Sequence, residues 1–125
     1  MVRFNPKFKQ DISKFYDYII IVEGKKDISA LKALGFEKVY AIHETGKPLR
    51  ENLSEIVAKL DKKDKICILT DFDKKGKKLY LLLKEEISQM PGVKLDSSLR
   101  GLFIKSGISH VEGIYKFFEK IEGIY

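Results

Sequence analysis

Three short apolar runs, each closed by polar residues, stand out along the chain. Residues 18–22 read YIIIV, residues 38–42 read KVYAI and residues 65–70 read KICILT. The first run is almost continuously β-branched and does not alternate with polar residues, which is typical of a strand buried on both faces of a parallel sheet. The three runs therefore predict three strands.

Between and after these runs, the apolar positions switch to a helical spacing. Leucine and isoleucine recur at intervals of three from Ile28, with Asp27 as a candidate N-cap and Gly35 as the C-terminal stop. Two further helices are predicted over residues 49–60 and 74–90. This alternation of strands and helices is the pattern that builds a parallel sheet with right-handed crossovers.

The two ends of the chain are expected to complete the same α/β domain. Residues 1–17 carry aromatic and apolar side chains close to helical spacing, which predicts a lead-in helix packed on the domain. Residues 102–104 predict a fourth strand, and residues 108–121 a closing helix. We therefore expect one domain over residues 18–125, with a parallel four-stranded sheet and helices on both of its faces.

Composition narrows the function classes only in part. The chain has 125 residues, 44% of them hydrophobic, which suits a single core. No run of about 18 apolar residues is present, so we expect a cytoplasmic protein with no membrane partner. The one cysteine, Cys67, lies in an apolar run and predicts a buried, inert thiol. The net charge of +6 comes mainly from lysine and fits either an anionic partner or an ordinary solvated surface.

Acidic residues follow two of the predicted strands. Glu23 ends the first strand, while Asp71 and Asp73 follow the third, with Gly76 permitting a close turn into the next helix. Ligands of parallel sheets bind at the carboxyl ends of the strands. Carboxylates crowded there repel one another unless a hard cation such as Mg²⁺ lies between them. Each acid alone is more often a helix cap or a surface residue, but together they favour a metal site.

These residues resemble the Toprim domain family, which is shared by topoisomerases, bacterial primases, certain nucleases and recombination proteins. Its first motif is a glutamate after a hydrophobic strand, here IIIVEGKKD with Glu23. Its second is DxDxxG, here DFDKKG from Asp71. The order of the motifs agrees over roughly residues 18–105. The chain looks most similar to small stand-alone Toprim proteins and to the Toprim part of the 5S rRNA maturation nuclease.

The resemblance implies a Rossmann-like Toprim fold and a role for each acid. Glu23 would be the general acid or base at a phosphodiester and would also face the metal. Asp71 and Asp73 would coordinate Mg²⁺, or Mn²⁺ in its place, and Asp27 matches an acidic position that supports metal binding in primases. Family members nick, ligate or polymerise with this site, so an endonuclease of RNA or DNA and a primase-like phosphotransferase both stay open.

The departures from larger family members leave a second interpretation open. The sequence has neither the companion domain with a catalytic tyrosine that topoisomerases use nor the zinc-binding cysteines of full primases. The alternative is therefore a non-catalytic module that binds metal and nucleic acid while a partner protein supplies further active-site groups. An aspartyl-phosphate hydrolase is disfavoured, because no threonine stands two residues after Asp73.

Basic residues flank both acidic motifs. They are expected to contact nucleic-acid phosphates, although lysines at the solvated start of a helix are the competing explanation. The residues are Lys25, Lys26, Lys74, Lys75, Lys77 and Lys78. His43 and Lys47 follow the second strand and are candidates for a substrate loop. Pro48 stands where a P-loop requires Ser or Thr, which excludes nucleotide binding of that kind.

Overall fold

The computed structural model describes residues 7–43, 46–61 and 63–108. Its helices and strands, in chain order, are α1 (Phe8–Ser13), β1 (Ile19–Val22), α2 (Lys25–Leu34), β2 (Lys38–Ala41), α3 (Leu49–Val57), β3 (Ile66–Ile68), α4 (Lys74–Ser88) and α5 (Ser98–Lys105). The three predicted strands and the three predicted helices that follow them are confirmed. The strands, α3 and α4 are slightly shorter than predicted, whereas α2 begins earlier than predicted, at Lys25.

Strand β1 lies at the centre of a parallel sheet with the order β2-β1-β3. Ile19 is opposite Lys38 on one side and Ile66 on the other. Because β1 has a strand on each side and helices over both faces, all four of its residues are buried. This position explains the unbroken apolar run in the sequence, since neither face of the strand meets water.

Helices cover both faces of the sheet, as expected. The core of one face joins α1, α2 and α5 to the strands, and its fully buried members include Phe8, Leu31 and Phe103. The core of the other face joins α3 and α4 to the strands and includes Leu53 and Leu83. The result is a three-layer α/β/α arrangement, in which the sheet is covered on each side.

Both ends of α2 are closed by glycine. Gly35 ends the helix in the left-handed region with φ 118°, as predicted, and its N–H donates to carbonyls of the last turn. The prediction of Asp27 as N-cap is wrong by one turn, because Gly24 holds that position. The Asp27 carboxylate instead accepts the Gly24 N–H at 3.2 Å from the third helical position.

The predicted fourth strand at residues 102–104 is wrong, because these residues belong to α5. Leu99, Arg100 and Phe103 are buried while Gly101 is exposed. A strand would place residue 101 on the same face as residues 99 and 103, so this spacing is helical. Three apolar residues alone fit either period. Within the described residues, the sheet therefore has three strands, extended beyond β3 only by an isolated bridge between Ile66 and Leu95.

The N-terminal helix packs on the domain through its aromatic face. In α1, Phe8 and Ile12 are fully buried, and the Phe8 ring lies 5.7 Å from that of Phe103 between centroids.

Cys67 is also buried, as expected. The closing helix predicted over residues 108–121 lies outside the described residues from residue 109 onward. In the part of the chain that is described, no helix is long and apolar enough to cross a membrane.

Candidate metal centre

Glu23 and Asp71 meet where β1 and β3 end. The two strands pair side by side, and beyond the last pair the Leu69 N–H still donates to the Ile21 carbonyl at 2.8 Å. One step further, the Asp71 backbone N–H donates to Oε1 of Glu23 at 3.0 Å. From β1 the chain goes first to β2, which lies next to one edge of β1, and later to β3, which lies next to its other edge. Such a switch point is where open α/β sheets bind ligands.

Asp73 begins helix α4. Its backbone is extended, and Oδ1 of its side chain accepts the Gly76 N–H at 2.7 Å, which makes it the N-cap. Asp73 therefore has the helix-capping role that is the commonest one for an aspartate in this position. The bond uses one of the two carboxylate oxygens, so capping and metal coordination through the other oxygen are chemically compatible.

Gly76 lets the first turn of α4 approach the backbone of Asp71. A Cβ atom at position 76 would overlap the Asp71 carbonyl group and lie 2.9 Å from its Cα. The hydroxyl of Thr70 donates to the Gly76 carbonyl at 2.7 Å, and this bond is buried. The glycine of the DxDxxG motif is thus needed for close contact and not for an unusual φ. Phe72 packs against the core of one face of the sheet, with its ring 6.1 Å from that of Phe103 between centroids.

Arg100 on α5 is the residue of this region that the sequence did not indicate. Its side chain is buried, and its Nη1 donates to the Thr70 carbonyl at 2.7 Å and to the Thr70 hydroxyl at 3.0 Å. Nη2 donates to the Asp71 carbonyl at 3.3 Å. Burial lowers the pKa of Arg100, while attraction to Tyr80, Asp71 and Glu23 opposes that shift.

One signal in the sequence could have drawn attention to Arg100. The chain has 24 lysines and arginines, and only Arg3, Arg50 and Arg100 are arginines. A planar guanidinium has several donors in fixed directions and can therefore hold two acceptors together, which a lysine ammonium cannot. An arginine within the apolar segment SLRGLF, in a chain that otherwise uses lysine, is therefore informative.

The donor chemistry of this sheet edge fits a hard divalent cation, since Glu23, Asp71 and Asp73 all offer carboxylate oxygens. Nevertheless, no three histidine, cysteine or acidic side chains form a ready group for a metal ion within the described ranges. Glu23, Asp27 and Asp73 each already accept a backbone N–H through one carboxylate oxygen. Coordination would use their second oxygens and the Asp71 carboxylate.

The predicted phosphate-binding lysines lie at the starts of two helices. Lys25 and Lys26 begin α2, and Lys74 begins α4. All six of the flanking lysines have exposed side chains, including Lys75, Lys77 and Lys78. Both helices start just after the strand ends that bring Glu23 and Asp71 together, so the positive charges and the acids share one edge of the sheet.

The candidate loop residues His43 and Lys47 have different surroundings. His43 is exposed, and its backbone N–H donates to the Glu23 carbonyl at 3.2 Å, so this loop begins beside the site. Lys47 is ion-paired with Glu55 of α3, with 2.5 Å between Nζ and Oε1. Its hydrogen bond to Glu55 raises the pKa of Lys47. The ion pair thus directs Lys47 toward α3.

Comparisons with known proteins find relatives that match most of this chain, including the segment with the two acidic motifs. The Toprim domain family matches residues 18–100, a range that contains both acidic motifs and ends at Arg100. A UPF0292 protein of Methanocaldococcus jannaschii is 33% identical over 104 residues, covering 81% of this chain and 78% of that protein. A UPF0292 protein of Methanosarcina barkeri is 34% identical over 108 residues, covering 82% and 71%. A solved structure of a protein from Aquifex aeolicus, 28% identical, covers 88% of this chain and 97% of that one with a TM-score of 0.67.

Proposed function

Because the chain belongs to the Toprim domain family, we propose that it is a Mg²⁺-dependent nuclease that cleaves phosphodiesters of nucleic acid. Toprim domains generally bind a divalent metal ion, usually Mg²⁺, and work on nucleic acid. RNA is the proposed substrate, by analogy with the maturation nuclease whose first motif this sequence resembles. The finer assignment rests on the arrangement of the acids.

The observation that carries the proposal is the contact between Glu23 and the Asp71 backbone at 3.0 Å. The carboxylate to which we assign proton transfer thus lies directly beside the start of the acidic pair. Phosphodiester cleavage needs both parts, a group that transfers a proton and ligands that hold a cation against the phosphate. The two parts come from different strands, so their contact depends on the folded sheet.

In this mechanism Asp71 and Asp73 would hold the metal ion, and Asp27 would support them from α2. When bound, the ion would neutralise negative charge that develops on the phosphate during displacement. Glu23 would accept a proton from the attacking water or hydroxyl, or return one to the leaving oxygen. The exposed lysines at the starts of α2 and α4 would attract the phosphates on either side of the scissile bond.

A second function is favoured by a specific observation. The carboxylates of Asp27 and Asp73 both already accept backbone N–H groups at helix starts, and the described residues contain no ready metal group. A module that binds nucleic acid, with its metal site completed by a partner protein, would have this arrangement. In that case the chain would bind RNA in the presence of Mg²⁺ without cleaving it.

The deciding experiment incubates the protein with labelled structured RNA and with single-stranded DNA, in Mg²⁺ or in chelator. Glu23→Gln should lose at least about a hundredfold in cleavage rate. Its remaining amide oxygen can still accept the Asp71 N–H, so the fold should be retained. The matched control is Glu37→Gln, which changes an exposed glutamate and should cleave like the parent.

Three other outcomes would each contradict part of this proposal. Mg²⁺-dependent RNA binding without turnover would replace the nuclease by the partner-dependent module. Parental Mg²⁺ affinity in the double variant Asp71→Asn/Asp73→Asn would contradict both functions, because both place the ion on these two residues. Turnover of small phosphate esters would instead point to a phosphatase.

A further inference from the structure

Arg100 and Glu23 hold opposite sides of the same peptide unit. The carbonyl of Thr70 and the N–H of Asp71 belong to one planar group with little freedom to twist. Nη1 of Arg100 donates to that carbonyl at 2.7 Å, and the N–H donates to Oε1 of Glu23 at 3.0 Å. The position of the guanidinium on α5 is thereby transmitted through a rigid group to the carboxylate after β1.

Arg100 also connects this peptide to the start of α4. The Thr70 hydroxyl accepts from Nη1 at 3.0 Å and donates to the Gly76 carbonyl at 2.7 Å. Nη2 of the same guanidinium donates to the Asp71 carbonyl at 3.3 Å. Two consecutive carbonyls and one hydroxyl are therefore held by a single planar side chain, a geometry that a guanidinium fits and an ammonium does not.

The guanidinium is itself fixed in place by aromatic rings. Its central carbon lies 4.7 Å from the centroid of the Phe72 ring and 4.3 Å from that of the Tyr80 ring. Only 6% of Arg100 is exposed. Contacts with the loop and with α4 thus leave the side chain little freedom, and cation–π attraction adds to its hydrogen bonds.

The hydrogen-bond acceptors of Arg100 indicate what this side chain does in the acidic loop. Burying a guanidinium is costly unless its donors are bonded, and an ion pair with a carboxylate is a common solution. Arg100 instead donates to backbone oxygens and to a hydroxyl. It therefore orders the acidic loop without using a carboxylate oxygen, while its positive charge still reduces the repulsion between Glu23 and Asp71.

On the basis of the proposed function, we propose that Arg100 is a positioning residue for the metal site. It sets the spacing between the Glu23 carboxylate and the Asp71 loop by holding the peptide that joins residues 70 and 71. It acts through the backbone and has no contact with substrate in this role. The expected consequence of losing its planar fork is a looser acidic loop and weaker metal binding in a folded protein.

The test compares Arg100→Lys with Arg50→Lys, the same substitution at an arginine whose side chain is 74% exposed. The first readout is hydrogen exchange of the Asp71 amide in metal-free protein. Arg100→Lys should speed this exchange about tenfold while the β1 amides keep their parental rates. Arg50→Lys should leave the Asp71 exchange rate unchanged.

The second readout is Mg²⁺ affinity measured by titration calorimetry. Arg100→Lys should weaken Mg²⁺ binding about tenfold, the effect typical of losing a group that orients metal ligands. Arg50→Lys should stay within about twofold of the parent, because an exposed ion pair contributes little. A folded Arg100→Lys protein with parental affinity and parental Asp71 exchange would overturn the inference.

A milder variant keeps the inference testable if Arg100→Lys does not fold. Thr70→Val preserves the shape of the side chain and removes the hydroxyl that links Arg100 to Gly76. It should speed Asp71 exchange and weaken Mg²⁺ binding in the same direction, by a smaller factor. Parental values for both would overturn the inference. If the parent protein binds no Mg²⁺, the proposed function fails, while Asp71 exchange still decides the role of Arg100.

Discussion

The Glu23 side chain and the Asp71 backbone are joined by a hydrogen bond of 3.0 Å between residues 48 positions apart in sequence. The bond exists because β1 and β3 are neighbours in the sheet. It also uses the Asp71 N–H, so the carboxylate of Glu23 and the start of the acidic loop cannot move independently. Substitutions that disturb this loop are therefore expected to affect both stability and metal binding.

Gly76→Ala should destabilise the protein by about 2 kcal/mol, because the new methyl group would overlap the Asp71 carbonyl. Gly101→Ala is the matched control in another helix. A Cβ there meets nothing within 4 Å, so it should stabilise the protein by about 0.5 kcal/mol through helix propensity. Urea unfolding of both variants gives the comparison, and equal effects at the two positions would contradict the close approach at Gly76.

Asp73→Asn should separate the two roles of the N-cap residue. Asparagine caps a helix about as well as aspartate, so the free energy of unfolding should change by less than about 0.5 kcal/mol, whereas Asp73→Ala should lose about 1 kcal/mol. Mg²⁺ affinity should fall at least about tenfold in both variants, since both remove the carboxylate. Calorimetric titration and chemical unfolding measure the two effects.

Asp96→Asn provides the control for this experiment. The Asp96 carboxylate also accepts a backbone N–H, from Ser98 at 2.8 Å, at the start of α5. Its own N–H donates to the carbonyl of Ile66, where β3 begins, so it lies at the opposite end of that strand from the acidic loop. The Mg²⁺ affinity of the Asp96→Asn variant should equal that of the parent protein. Undiminished Mg²⁺ binding in Asp73→Asn would remove Asp73 from the metal site.

Lys74→Gln should weaken nucleic-acid binding and reduce its salt dependence. If the Lys74 ammonium binds one phosphate, its removal should lower the slope of log affinity against log salt concentration by about 1. Lys84→Gln is the control, because it removes an exposed lysine of the same helix about 15 Å further along its axis. Fluorescence anisotropy with labelled RNA over a salt series measures both slopes. Equal slopes for the two variants would favour a merely solvated helix start.

Cys67 should make stability fall at alkaline pH. Burial raises the pKa of its thiol from 9.0 to about 12. Above pH 9 the unfolded thiol loses its proton while the folded one keeps it, so the free energy of unfolding decreases as pH rises toward 12. The loss should reach about 1.4 kcal/mol per pH unit, relative to Cys67→Ala. Parallel pH profiles of parent and variant would contradict the prediction, and other alkaline groups cancel in the difference.

Local pattern was sufficient for most of the elements. The unbroken run before Glu23 predicted a central strand, and Gly35 predicted the end of α2, because burial on both faces and a left-handed C-cap each restrict residue type strongly. The local sequence pattern was insufficient for residues 102–104, because three apolar residues fit a helix as well as a strand. The exposure of Gly101 between the buried residues Leu99, Arg100 and Phe103 resolves that ambiguity in favour of the helix α5.

For the site, the sequence by itself determined which carboxylates follow which strands. Motif spacing and the order of the strands along the chain are properties of the sequence. Tertiary structure alone decided that β1 and β3 are neighbours, that Glu23 contacts the backbone of Asp71, and that Arg100 reaches the same peptide from α5. These contacts join residues far apart in sequence. Their geometry depends on how helices and strands pack, and no local periodicity encodes it.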